Sequence, residues 1–223
     1  MKHFLLLLIS VAVVIPSICS AQTVSIKGDA TKGKAIATTV CNVCHGLDGN
    51  SIGPPYPKLA SQYPEYLFRQ MKQFKPANGK PPERANPTMM IMLAAFDEAQ
   101  MRDLTAYYAS QKLIGYQQKV PDSNKAGQKK VPDSNKAGQK LYRLGNATKS
   151  LPACAACHGP TGKGIPNLFP RIDGQEPQYV EIQLKAYRAE TRTNDHNKMM
   201  RMVAAKMSDA EIKAVASYVA ELR

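Results

Sequence analysis

The sequence predicts an all-α protein made of two copies of one helical domain in tandem. Three observations carry this reading. The halves align with each other at an offset of 113 residues around the matched segments Cys41-Asn-Val-Cys44-His45-Gly46 and Cys154-Ala-Ala-Cys157-His158-Gly159. The same offset places Pro57-Lys-Leu-Ala-Ser-Gln62 on Pro170-Arg-Ile-Asp-Gly-Gln175, and Pro64-Glu-Tyr66 on Pro177-Gln-Tyr179. Both halves close on the same helix-start signal, Asp97-x-x-Gln100 and Ser208-x-x-Glu211, each followed by apolar residues at helical spacing.

In chain order, the first element is a leader. Lys2 and His3 precede an apolar run from Phe4 to Ile15, followed by Pro16 and small residues ending at Ala21, the pattern of a secretory signal peptide over 1–21. The run is shorter than the about 17–25 residues a membrane span needs. The residues before Cys19 lack the small residue that a lipidation site would place next to it, and cleavage after Ala21 removes this cysteine. The expected product is an exported, periplasmic chain starting near Gln22.

Two domains follow, over 22–113 and 137–223, joined by a linker over 114–136. Lys119–Lys129 (KVPDSNKAGQK) recurs unchanged as Lys130–Lys140. Its polar, Pro- and Gly-containing composition reads as a tandem duplication in the linker that extends to 140, not as a packed repeat. In the first domain a helix over 28–41 leads into the first cysteine motif, and 138–146 is its counterpart. Middle helices are expected at 65–75 and 178–189, each opened by a proline, whose missing N–H costs nothing at the first turn. The last helices carry Met101, Leu104 and Tyr108 in one half, and Ile212, Val215, Ala216, Val219 and Leu222 in the other. Tyr107 and Tyr218 are matched across the repeat and are expected to pack the last helix on the first. At about 85–95 residues, each domain is small for a self-sufficient core, and a large apolar group held at its centre would add bulk.

The cysteine motifs define that group. In an oxidising compartment paired cysteines default to disulfides, but all four cysteines after the leader sit in Cys-x-x-Cys-His. Two thioethers to haem vinyl groups need cysteines one helical turn apart, and the adjacent histidine then meets the iron on its proximal side. A zinc site would usually space its histidines away from the cysteines, and a thioredoxin-type pair lacks the following histidine. Two covalently bound c-type haems are therefore expected, at Cys41/Cys44 and Cys154/Cys157, with His45 and His158 as iron ligands.

Six methionines stand where a sixth iron ligand is expected: Met89, Met90, Met92, Met199, Met200 and Met202. Most are expected to be packing residues. Aligning Phe96-Asp97 with Met207-Ser208 gives an offset of 111, under which only Met89 and Met200 coincide, each eight residues before its helix N-cap. These two are the expected ligands, with Met90 and Met202 as next choices. A thioether favours ferrous iron and raises the potential, axial choice moving haem potentials over about 0.8 V. Six-coordinate iron also leaves no open position, which suits a carrier. The second ring nitrogen of each histidine needs a backbone acceptor, and Pro57 and Pro170 are the candidates. Arg84 and Arg192, each two residues before an asparagine, are candidate partners for the haem propionates. His196 lies in a polar run and reads as a solvated loop residue.

The net charge of +13 is +12 without the leader, spread as +4 over 22–113, +3 over 114–136 and +5 over 137–223. With no concentrated basic face, and with export, nucleic acid is excluded as a partner. Acidic protein surfaces, or loose peripheral contact with anionic lipid, fit better.

The chain resembles the cytochrome c4 family, dihaem proteins of two class I cytochrome c domains related by pseudo-two-fold symmetry. The likeness covers nearly all of the chain after the leader. Its most specific pieces are the two haem motifs, Tyr56-Pro-Lys-Leu-Ala-Ser-Gln62, Phe169-Pro-Arg-Ile-Asp-Gly-Gln175, Arg192-Thr-Asn-Asp195, Met200-Arg201 and Ala204-Ala-Lys-Met-Ser-Asp209. It departs from the family at the duplicated linker and at Asp97, where serine is usual. The resemblance implies Cys41, Cys44, His45, Met89, Cys154, Cys157, His158 and Met200 as the haem-binding set. It also implies electron transfer, not catalysis, between respiratory partners such as a membrane-bound terminal oxidase or cytochrome bc1. The alternatives are the haem subunit of a flavocytochrome c-type dehydrogenase and, less favoured by the matched methionines, a dihaem peroxidase.

Overall fold

The computed structural model describes residues 26–116 and 133–222. The expected leader and the first copy of the duplicated segment lie outside the described residues. Among those described there are helices and no strands, only three isolated bridges that close turns.

In the first domain α1 (Ala30–Ile36) starts at Asp29, whose side chain accepts the N–H groups of Thr31 and Lys32. It continues as a π turn over Ala37–Cys41 directly into α2 (Asn42–His45), which carries the haem motif. Then come α3 (Pro64–Gln73), opened by its proline, α4 (Pro87–Leu93), and α5 (Glu98–Ser110), where Asp97 and Gln100 form the reciprocal capping box. The second domain repeats the order with α6 (Asp133–Leu144), α7 (Ala155–His158), α8 (Pro177–Arg188), α9 (Met199–Ala204) and α10 (Asp209–Glu221), the last capped by Ser208 and Glu211.

The first and last helices of each domain cross at matched glycines. A Cβ on Gly33 would sit 2.0 Å from the Asp103 carbonyl oxygen, and one on Gly138 would sit 2.1 Å from that of Ala214. Only glycine allows this approach. Leu67, Leu104, Tyr107 and Tyr108 fill the first core, and Leu141, Tyr142, Leu184, Ile212, Val215, Tyr218 and Val219 fill the second.

The crossing corrects the reading of the duplicated segment. From Asp133 on, its second copy is helix: α6 begins there, four residues before the boundary expected at 137 and five before the helix expected at 138. The polar stretch folds because Asn135 and Gly138 are buried where it meets α10, and Leu141 and Tyr142 anchor its far end. The sequence also missed α4 and α9, short helices that carry the candidate methionines.

The domains meet across a seam with the pseudo-two-fold symmetry of the repeat. Gln62 donates to the Arg171 carbonyl at 2.9 Å and accepts the Arg171 N–H at 3.0 Å; reciprocally, Gln175 donates to the Lys58 carbonyl at 3.0 Å and accepts the Lys58 N–H at 2.7 Å. This is an isologous contact, of the kind a symmetric dimer uses, made within one chain. One ion pair breaks the symmetry: buried Lys58 faces buried Glu176 at 3.4 Å, whereas Arg171, the counterpart of Lys58, pairs with Asp173 of its own domain.

Candidate haem sites

Each haem motif ends in a short helix that turns its histidine inward. His45 and His158 are buried, and each Nδ1–H donates to a backbone carbonyl, Pro57 at 2.9 Å and Pro170 at 3.0 Å. The two prolines selected from the sequence are thus the acceptors. Burial lowers the pKa of both rings, partly opposed by the carbonyl bond. The neutral tautomer so fixed leaves Nε2 with its lone pair free, the form in which imidazole binds iron.

The cysteines are unpaired and half-buried. Burial raises the Cys41 pKa and pushes that of Cys154 up to about 11. This is the opposite of the lowered pKa that marks a zinc thiolate or a redox pair. How the loop after each histidine is tied down is not legible in the sequence. In the first domain the Tyr107 hydroxyl donates to the Leu47 carbonyl at 2.7 Å; in the second, Tyr142 donates to the Gly159 carbonyl at 2.6 Å.

Both candidate methionines lie near the start of a short helix and are half-buried. Met200 packs against the same apolar cluster as Cys154, while Met89 does not join the cluster that holds Cys41. Met202, a next choice, is 57% exposed. His196 is exposed, as expected of a loop residue.

Arg84 and Arg192 lie in the seam, 9% and 5% exposed. Arg84 donates to Gln70 of its own domain at 2.8 Å and to Tyr179 and Gln183 of the other at 2.9 and 3.1 Å. Arg192 mirrors it, reaching Gln183 at 2.7 Å, and Gln70 and Tyr66 across the seam at 3.0 and 3.2 Å. Each guanidinium stacks 4.5 Å from a ring centroid, Phe74 or Tyr187. Among the described residues no carboxylate lies within ion-pairing distance of either. Burial opposes ionisation of Tyr66, but Arg192 and Arg84 beside it bring its pKa below the ordinary value. Two buried positive charges with only neutral acceptors form a site that favours an anion. The residues therefore fit haem in two ways, paired cysteines and oriented imidazoles, and the seam between the domains adds two buried cations.

Comparison with known proteins agrees with this architecture. The cytochrome c family model matches residues 30–112 and again 135–223. Cytochrome c4 of Azotobacter vinelandii is 43% identical over 200 residues, covering 86% of this chain and 88% of the relative. The thiosulfate dehydrogenase electron acceptor of Stutzerimonas stutzeri strain A1501 is 32% identical, covering 91% of this chain and 92% of the relative. The crystal structure of reduced recombinant cytochrome c4 from Pseudomonas stutzeri superposes with a TM-score of 0.76 at 36% identity, covering 88% of this chain and all of that one. The chain belongs to the cytochrome c4 family, dihaem electron carriers of two cytochrome c domains whose motifs at Cys41/Cys44 and Cys154/Cys157 each hold a covalent c-type haem.

Proposed function

We propose that this chain is exported to the periplasm by cleavage of residues 1–21 and carries electrons from respiratory donors toward a membrane-bound terminal oxidase. In this reading His45 with Met89, and His158 with Met200, would hold the two irons. Bound haem iron supplies a reversible ferric/ferrous couple, one electron per domain. The protein's own residues keep each imidazole neutral and aligned, keep water from it, and hold two cations between the domains.

The observation that carries the proposal is the doubled site. Both histidines are oriented by a proline carbonyl and both domains supply a methionine eight residues before the N-cap of the last helix, so neither half is set apart for catalysis. Histidine–methionine ligation closes the iron and raises its potential, as a donor to an oxidase requires. The test is the absorption spectrum of the purified ferric protein, followed by reduction and addition of carbon monoxide. The expected result is a methionine-to-iron charge-transfer band at two-haem intensity and no carbon monoxide binding. One haem without the band and open to carbon monoxide would overturn the carrier reading for that domain.

A second reading is favoured by the relative named a thiosulfate dehydrogenase electron acceptor. In it, the donor is a thiosulfate-oxidising enzyme. Stopped-flow reduction by such an enzyme with thiosulfate, compared with reduction by cytochrome bc1, ranks the two donors.

A further inference from the structure

The two methionine loops differ in length and in what holds them. From the seam arginine to the candidate ligand is five residues in the first domain (Arg84 to Met89) and eight in the second (Arg192 to Met200). In the first, Asn86 caps α4, its side chain accepting the Met89 N–H at 2.9 Å. In the second, the three added residues make a 3₁₀ turn over His196–Lys198, in which Asn197 (φ 49) and Lys198 (φ 58) adopt left-handed backbone. Such conformations cost free energy for side chains with a Cβ, lysine especially. Lys198 occupies the cap position of α9 and makes no side-chain cap bond.

Asp195 takes over that task from three residues upstream. One carboxylate oxygen accepts the Arg201 N–H at 2.9 Å, the bond a cap would make; the other accepts from Arg201 Nε at 2.8 Å. The Asp195 side chain is 3% exposed and that of Arg201 14%. Arg201 follows Met200, and its guanidinium also reaches the Thr193 carbonyl at 3.3 Å. The carboxylate and guanidinium thus close a ring around the residues that carry Met200, with the strained turn inside it.

We propose that Asp195, acting through Arg201, is a positioning residue that holds Met200 in place for the second haem, and that among the described residues Met89 has no equivalent ionic clamp. The inference rests on Met200 being the axial ligand. Asp195→Ala removes both the cap and the ion pair, so the methionine-to-iron band falls to one-haem intensity, carbon monoxide binds one haem per molecule, and one of the two waves in a potentiometric titration moves to lower potential. Asp195→Asn keeps a cap acceptor, as Asn86 does in the first domain, and restores most of the band. Met200→Ala is the reference. If it removes half the band while Asp195→Ala leaves the band whole, the positioning role is wrong and the ligand assignment stands. If Met200→Ala leaves the band whole, the ligand assignment fails and takes this inference with it. Loss of both haem bands in Asp195→Ala, with no rescue by asparagine, would make Asp195 a residue of the fold as a whole and overturn the inference.

Discussion

Four positions beyond each glycine crossing, the first helix of the N-terminal domain offers Ala37 to the last helix, which answers with Tyr108. At the matched positions of the C-terminal domain the residues are Tyr142 and Val219. The large ring comes from the last helix in one domain and from the first in the other. It fills corresponding space in both, packing tilted against Tyr107 at 5.2 Å and against Tyr218 at 5.5 Å. The hydrogen bonds are exchanged as well. Tyr107 ties down the haem loop of its domain; its counterpart Tyr218 instead accepts from Arg143 at 3.1 Å, and Tyr142 holds the loop. Tyr108 is left with a buried hydroxyl that has only the sulfur of Cys41 beside it as a weak partner. What the two copies keep is a ring volume and one hydroxyl on the loop carbonyl, whichever helix supplies them.

The comparison breaks most readily at what both domains share. Gly33→Ala and Gly138→Ala each push a methyl into a backbone carbonyl, and each is expected to destabilise its own domain by about 3 kcal/mol or more. Denaturant unfolding of the holoprotein, followed by haem absorbance, measures this; a loss below about 1 kcal/mol would mean that the helices slide apart cheaply. Tyrosine-to-phenylalanine exchange sharpens the comparison. Tyr107→Phe and Tyr142→Phe lose the loop bond and should each cost about 1–2 kcal/mol, whereas Tyr108→Phe removes a hydroxyl with only the weak sulfur partner Cys41 and should cost less than about 0.5 kcal/mol. A Tyr142→Phe variant as stable as the parent would end the claim that its hydroxyl has replaced that of Tyr107.

The smallest effect concerns pH. Glu211 accepts from Lys149 at 2.8 Å and from the Ser208 N–H at 2.7 Å, bonds that bring its pKa down to about 2 from an ordinary 4.5. A carboxyl whose folded pKa is depressed stabilises the fold above its unfolded pKa and loses that contribution as pH falls through the folded one. The second domain should therefore weaken between pH about 4.5 and about 2, by the order of 1 kcal/mol for this partly exposed group. The first domain has neutral Gln100 at this place. Glu211→Gln should flatten that limb in acid titration of the melting temperature.

Where function depends on neighbours in sequence, the chain was readable: the cysteine motifs, both capping boxes, and the proline carbonyls that orient the histidines. Met89 and Met200 were singled out only because a second copy existed to compare. The tyrosine exchange stayed hidden because no single offset aligns the halves. It is 105 at the glycine crossings, 113 at the haem motifs, 108 at the seam arginines and 111 at the last helices. Each change marks an insertion, and residues that meet in space fall under different offsets. Gln62 and Gln175 were visible as a matched pair, yet only tertiary structure reveals that each bonds the other domain. The second copy of the duplicated segment reads as linker because its helix is fixed by contacts with α10 and not by an apolar stripe of its own.

That α6 uses only the copy adjoining Leu141 has a consequence for how the halves find each other. The glutamine and arginine seam decides how they fit, and the length of the connection enters through the local concentration it sets once they are parted. Eleven additional residues dilute one half in the vicinity of the other by no more than a few-fold, since closure entropy grows with the logarithm of length. By this arithmetic the halves resemble the subunits of a dimer that cannot diffuse away, and a slippage event in the coding DNA at this place is expected to pass almost unfelt by the fold.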